Sequence, residues 1–309
     1  MADVRPHPQA TDLADLAGRL LDELRARRPL VQNITNYVSM DIAANALLAI
    51  GAAPAMVHAP EETPQFTPIA GALVVNIGTL SAPTAKAMQV AVDVAHKVGT
   101  PWLLDPVAVG VMDFRNNVVL DLMKAKPTIL RGNASEIMAV ARLAGLTQTK
   151  ATPRGTDSTN TTSEAQLFCI ELARHFGCTV VATGEVDVAT DGQQVVRLAN
   201  GSPLMTKVTA LGCSLSSVMG GFLAIALSPQ EHRAKKWTPV FRENDAVLKE
   251  SRAPSGALAA AIAALAVYGV AGDMAAETAR HPGSFRVAFL DTLDAITPAD
   301  IAARLKVVA

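Results

Sequence analysis

The chain has 309 residues, half of them hydrophobic, and a formal net charge of −1. That length supports one large core or two domains. The near-zero charge argues against a sequence-independent nucleic-acid binder, which needs a basic face, so no nucleic-acid partner is expected. Three cysteines, Cys169, Cys178 and Cys213, form an odd set without metal-ligand spacing. The opening MADVRPHPQATD has no apolar signal core, so the cysteines read as reduced thiols of a cytoplasmic protein. The Ala-rich stretch from Gly256 to Ala276 comes nearest to a membrane span. It carries Gly, Tyr268 and Asp273, and its small residues suit tight packing in a core, so no membrane partner is expected.

Taken in chain order, Leu13, Leu16, Leu20, Leu21 and Leu24 recur among charges and predict an amphipathic leader helix over 13–28. From Asn33 an Asn/Thr loop opens a helix over Tyr37 to Ile50, with Gly51 closing it. Short apolar runs bounded by turn signals follow: AMVH (55–58), ALVVNI (72–77), WLLD (102–105), TILR (128–131) and CTVVAT (178–183). Helical segments lie between most of them, the clearest being SAPTAKAMQVAVDVAHKVG, with Pro83 near its start and Gly99 at its end. VDVATDGQQVVRLAN reads as a hairpin turning at Asp191-Gly192, after which the chain is mostly helical. In KVTALGCSLSSVMGGF the residues Leu215, Val218, Met219, Phe222 and Leu223 follow the one-face spacing of a helix, which puts Gly212 and Cys213 in its first turn. Polar stretches at 147–164 and 229–254 read as insertions. Apolar strands alternating with helices predict an α/β fold: a mainly parallel central sheet with helices on both faces. The expected organisation is a leader over 1–27 and a single domain over 28–309, with no internal repeat.

Ligands of open parallel sheets sit outside the carboxyl ends of the strands. Asp105 ends WLLD. Arg131, Gly132 and Asn133 follow the next strand, with Glu136 three residues after Asn133, and Thr183 and Gly184 end CTVVAT. Each has an ordinary explanation by itself. Asp105 precedes a proline turn, Asn133-x-x-Glu136 matches a capping box, and Cys213 is the size of a small core residue. Together they bring two carboxylates, an arginine, a threonine and a helix N-terminus with a thiol to one sheet edge. Two carboxylates suit Mg²⁺ that shares its sphere with phosphate oxygens, arginine suits phosphate by a forked contact, and a helix start suits the charge of phosphoryl transfer. No GxxxxGK[ST] and no GxGxxG after the first strand appears. The pattern is that of a phosphate-handling α/β enzyme without a P-loop. A helix start also lowers a thiol's pKa, so Cys213 is expected to be acidified.

Several stretches in series resemble the hydroxyethylthiazole kinase family of the ribokinase-like superfamily: QNITNYVSMDIAANALLAIGAAPAMVHAPEE, NIGTL, PWLLDPVAVG, ILRGNASEIMAVA, VATGEVDVATDG, MTKVTALGCSLSSVMGGF and PGSF. They run in order over most of the chain from residue 28 to residue 290. The resemblance implies a three-layer ribokinase-like sandwich and ATP-dependent phosphorylation of the primary alcohol of hydroxyethylthiazole, a step of thiamine salvage. It also implies Mg²⁺ and a homotrimer with active sites between subunits. By motif, it implies that Arg131 and Thr183 bind ATP and that Asp105 and Glu136 hold or position Mg²⁺. Met56 then lines the thiazole pocket, Asn33 frames the substrate, and Cys213, beside Gly212, faces the reacting hydroxyl as a base. Gly212 and Cys213 also offer backbone N–H groups to the transferring phosphoryl group.

Two features depart from that pattern. The turn before the helix reads Ala210-Leu211-Gly212-Cys213, with Ala210 where the family has glycine. If the position uses positive φ, alanine there costs about 1 kcal/mol or more. The leader and the 229–254 stretch exceed the usual pattern as well. Two further readings stay open on the residues: a related kinase acting on a pyrimidine or another small alcohol, and a non-catalytic thiazole- or nucleotide-binding relative.

Overall fold

The computed structural model describes residues 9–146, 162–227 and 255–308. The predicted insertion at 229–254 lies outside them, and so does 147–164 except its last three residues, which begin a helix. The strands stand in the order β2-β1-β3-β4-β5-β6-β7-β8 in one eight-stranded sheet. Strands β1 (Leu30–Ile34), β2 (Ala53–Ala55), β3 (Ala72–Asn76), β4 (Trp102–Asp105), β5 (Ile129–Asn133) and β6 (Thr179–Thr183) run parallel. The hairpin β7 (Asp187–Thr190) and β8 (Val195–Leu198) extends the sheet antiparallel, as its Asp-Gly turn predicts.

Strand residues alternate between two apolar layers. Ala72, Val74, Leu103, Ile129 and Val181 face one core, and Leu73, Val75, Leu104, Leu130 and Val180 face the other. The second core is covered by α4 (Ala82–Val98), α5 (Asp113–Lys124), α6 (Ala134–Leu143) and α7 (Thr162–Phe176), with the short α3 (Thr63–Phe66) beside α4. The first core takes α1 (Ala10–Arg27), α2 (Met40–Ala49), α8 (Leu211–Ala226), α9 (Gly256–Thr278), α10 (Pro282–Ala295) and α11 (Pro298–Arg304). This is the α/β, three-layer arrangement expected from the alternating pattern.

Three elements differ from the sequence reading. Strand β1 is one of the central parallel strands, yet the sequence reading has no strand there and begins a loop at Asn33, because Gln32 and Asn33 are polar while being fully buried. The run AMVH was expected as a strand. The strand there is Ala53–Ala55, at the sheet edge, and Met56 to His58 follow it as irregular chain. Helix α9 is, by length and composition, long and apolar enough to cross a membrane, contrary to expectation, but here most of it is buried inside the protein. Helix α1 also enters the main core, with Leu21 and Leu24 fully buried and Gly18 lying against Pro298.

Because β1, β3, β4, β5 and β6 run the same way, their carboxyl ends line one edge of the sheet.

Candidate active site

The two-residue period of the strands aims the edge residues. Val74, Leu103, Ile129 and Val181 face the α8 layer, so Asn76, Asp105, Arg131 and Thr183, each two residues further on, face it too. Helix α8 starts at the same edge. The Arg131 guanidinium, almost completely buried, donates from Nη1 to the Gly212 carbonyl at 2.9 Å and from Nη2 to Thr183 Oγ1 at 2.7 Å. Its Nη1 stands 3.6 Å from Asp105 Oδ2. The same Oδ2 accepts from Asn76 Nδ2 and Ser216 Oγ, both at 2.7 Å. Asn76 Oδ1 in turn accepts from Asn36 Nδ2 at 2.8 Å, and that amide nitrogen also reaches Cys213 Sγ at 3.3 Å. Arg131, Thr183, Asp105, Gly212 and Cys213, five of the predicted site residues, thus join one cluster of hydrogen bonds linked by the Arg131–Asp105 ion pair.

Gly212 gives the guanidinium room. A Cβ there would lie 3.3 Å from Arg131 Nη1, in the space the guanidinium uses. Ala210, the N-cap of α8, has a φ of 61° and no side-chain cap. The strain foreseen for alanine in place of glycine is therefore present. Thr79 and Ala108, in the loops after β3 and β4, also have positive φ, at 43° and 57°. Left-handed non-glycine residues gathered around one sheet edge are a mark of a functional site.

Glu136 is placed differently. Its Oε2 accepts from Asn133 N at 2.8 Å, while Asn133 Oδ1 accepts from Glu136 N at 2.9 Å, so the capping box forms. Its Oε1 accepts from Ala108 N at 2.9 Å, which ties the loop after Asp105 to the start of α6. Glu136 is close enough for its charge to raise the Asp105 pKa.

Burial pushes Asp105 up to about 6, against the pull of Arg131 and of the Ser216 and Asn76 hydrogen bonds. Cys213 departs from expectation. Burial, then the Asp105 charge, push its thiol upward, and the Asn36 and Asn76 amides and Arg131 offset only part of this. The direction is the reverse of the acidification expected at a helix start. Cys169 and Cys178 lie buried among apolar side chains, and both are pushed up to about 12.

Asn33 and Met56 lie outside this hydrogen-bonded cluster. Asn33 is fully buried, its Nδ2 donating to the Val31 carbonyl at 3.0 Å and its Oδ1 without a hydrogen bond. Met56 is half-buried just beyond β2, and His58 Nδ1 stands 3.0 Å from its carbonyl oxygen.

Sequence reasoning missed Asn36, Asn76, Ser216 and Arg115. Asn76 carried a usable signal: a polar residue near the end of the apolar run ALVVNI, level with Asp105. Ser216 follows Cys213 by three residues on the same helix. Arg115, on α5, donates to the carbonyls of Ile77 and Val107 and so joins the loops after β3 and β4, a contact with no local signal.

Fold and edge together define an α/β protein of ribokinase-like fold that gathers a buried arginine, a carboxylate and a helix start at one sheet edge. A ribokinase-like superfamily protein from Enterococcus faecalis, 14% identical, shares the fold with a TM-score of 0.50, over 94% of this chain and 83% of its own. Residues 21–241 match the Hydroxyethylthiazole kinase family. Hydroxyethylthiazole kinase of Cereibacter sphaeroides is 45% identical over 284 residues, 92% of this chain and 95% of that protein. The solved hydroxyethylthiazole kinase structure from Pyrococcus horikoshii OT3 is 34% identical, with a TM-score of 0.78 over 94% of this chain and 98% of its own. The chain belongs to the hydroxyethylthiazole kinase family.

Proposed function

We propose that the protein transfers the γ-phosphoryl group of ATP to the primary alcohol of hydroxyethylthiazole, supplying thiazole phosphate for thiamine salvage. Family membership supports the substrate. The observation that carries the chemistry is the cluster of Arg131, Asp105 and the uncapped start of α8 at one sheet edge. Arg131 and Thr183 hold the ATP phosphates, Arg131 as a fixed positive charge. The Gly212 and Cys213 N–H groups, in the first turn of α8, stabilise the transferring group.

Mg²⁺ fits the donor set. Asp105 Oδ1 is buried without a hydrogen bond, so it suits the metal or a metal-bound water, and Glu136 positions the adjoining loop through Ala108. Among the described residues no group of three or more His, Cys, Asp or Glu gathers, which suits a cation that takes its remaining ligands from phosphate and water. When bound, Mg²⁺ neutralises phosphate charge.

Met56 lines the thiazole pocket and Asn33 supports the strand beside it. Cys213 faces the hydroxyl; only its thiolate could accept the proton, and with the thiol protonated the alcohol proton passes late in the transfer to an oxygen of the phosphoryl group, because a loose phosphoryl transition state needs little base assistance. A protonated resting thiol is compatible with that order. The working assembly is a homotrimer in the cytoplasm, with sites between subunits.

The deciding experiment is product formation by purified protein with ATP, Mg²⁺ and hydroxyethylthiazole, beside hydroxymethylpyrimidine. Phosphorylated thiazole well above the pyrimidine product is the expected outcome. Thiazole binding without turnover refutes the kinase assignment in favour of a binding protein.

A further inference from the structure

Met56 sits just past a short strand at the edge of the sheet. Strand β2 has only three residues, all half-buried, and its one neighbour is β1. The ladder therefore ends before it reaches Met56. The next fixed point is a side chain from the neighbouring strand. Gln32, fully buried on β1 and level with Ala55, donates from Nε2 to the Val57 carbonyl at 3.1 Å. Its Oε1 accepts from Thr67 Oγ1 at 2.8 Å, and Thr67 is also fully buried. Thr100 Oγ1 donates to the Thr67 carbonyl at 3.2 Å, anchoring the row to the loop after α4. Both ends of one buried amide are thus used, one on a rigid support and one on the carbonyl next to Met56. A buried polar side chain on a central strand is expensive unless it is fully paired.

We propose that Gln32 is a positioning residue for the alcohol-binding pocket. It acts as a strut from β1 that sets where Met56 stands, and through Met56 how tightly the thiazole ring is gripped. The proposal rests on the reading of Met56 as the pocket wall. The strut lies on the α4 face of β1, whereas Arg131, Asp105 and Thr183 face α8, so it acts on alcohol binding and leaves the phosphate side alone.

The test compares Gln32→Met, Gln32→Glu, Thr67→Ser and Met56→Ala in steady-state kinetics with hydroxyethylthiazole and ATP varied separately. Gln32→Met keeps the volume and removes both bonds. Gln32→Glu keeps the acceptor for Thr67 and loses the donor to Val57. Both are expected to raise KM for the alcohol about tenfold, the worth of a lost buried hydrogen bond. KM for ATP and kcat should stay within about twofold. Thr67→Ser retains the hydroxyl and should behave as wild type. If the Gln32 variants lower thermal stability while leaving the alcohol KM unchanged, or shift both KM values together, Gln32 is structural only and the proposal is overturned. If Met56→Ala raises the alcohol KM and the Gln32 variants do not, the strut is refuted and the pocket stands. An unchanged alcohol KM in Met56→Ala refutes the pocket reading itself.

Discussion

Two helices begin on the same sheet edge and are finished in opposite ways. Helix α6 is closed by its own side chains, with Asn133 and Glu136 capping each other's backbone. Helix α8 starts from Ala210 with no side-chain cap, in a left-handed conformation that alanine resists. Alone, each start is a local choice that costs or gains about 1 kcal/mol. Side by side, they show one helix start satisfied by its own side chains and one left open to another partner, the start of α8, which is the phosphate site proposed above. Asp105 and Arg131 stand at α8, and Glu136, which looks like their equal in the sequence, is largely spent on α6.

The comparison breaks most visibly at Arg131. Arg131→Ala should lower kcat by about a hundredfold or more, in the range seen when a fixed transition-state charge is lost. It leaves α6 intact, so full activity in steady-state assays would mean that the open helix start is not the phosphate site. Glu136 sharpens the comparison. Glu136→Gln can keep the cap acceptor for Asn133 N but gives up the one for Ala108 N, and it removes the charge beside Asp105. A loss of turnover of about tenfold with unchanged thermal stability assigns the charge a role, and unchanged turnover makes Glu136 a cap and loop anchor alone.

A smaller effect concerns Asp187, which accepts from Gly184 N at 3.0 Å beside Thr183. Partial loss of water around this half-buried carboxylate pushes its pKa from 3.8 to about 7, the Gly184 hydrogen bond and Arg131 opposing. The folded chain therefore holds this proton where the unfolded chain has lost it. The contribution to stability is fully present below pH 3.8 and is lost as pH rises through about 7. Urea midpoints of wild type should fall over that window, and Asp187→Asn should flatten the slope. Asp105, raised to about 6, keeps a residual slope at the acid side. An identical slope in both proteins would show that Asp187 does not hold the proton.

The smallest effect is at Ala210 itself. Ala210→Gly relieves the positive φ and should stabilise the fold by about 1 kcal/mol, read as a higher thermal midpoint, with turnover equal or raised. Destabilisation would mean that the greater freedom of glycine in the unfolded chain outweighs the strain.

Much of the site was readable because strand ends and helix starts leave local marks. Asp105 before proline, Thr183 before glycine and Gly212-Cys213 before an apolar helix each carry one. Strand β1 left none, since Gln32 and Asn33 are buried polar groups whose partners lie on other elements: Gln32 reaches Val57 and Thr67 across the fold. The acidity expected for Cys213 failed for a related reason, because desolvation and the Asp105 charge come from neighbours far away in the chain.

Alternation, turn residues and motif order by themselves determined the family, the parallel sheet and the edge where the candidate site residues gather. Those properties follow from spacing along the chain, which the two-residue and 3.6-residue periods convert into direction. The tertiary structure alone decided that Asp105 Oδ1 is left without a hydrogen bond while both Glu136 oxygens are taken, that the pKa of the Cys213 thiol is pushed upward, and that most of α9 is buried inside the protein. It also decided that a buried glutamine braces the segment carrying Met56. Each of these depends on how much water is excluded and on which distant side chain fills the space, and no local period encodes either.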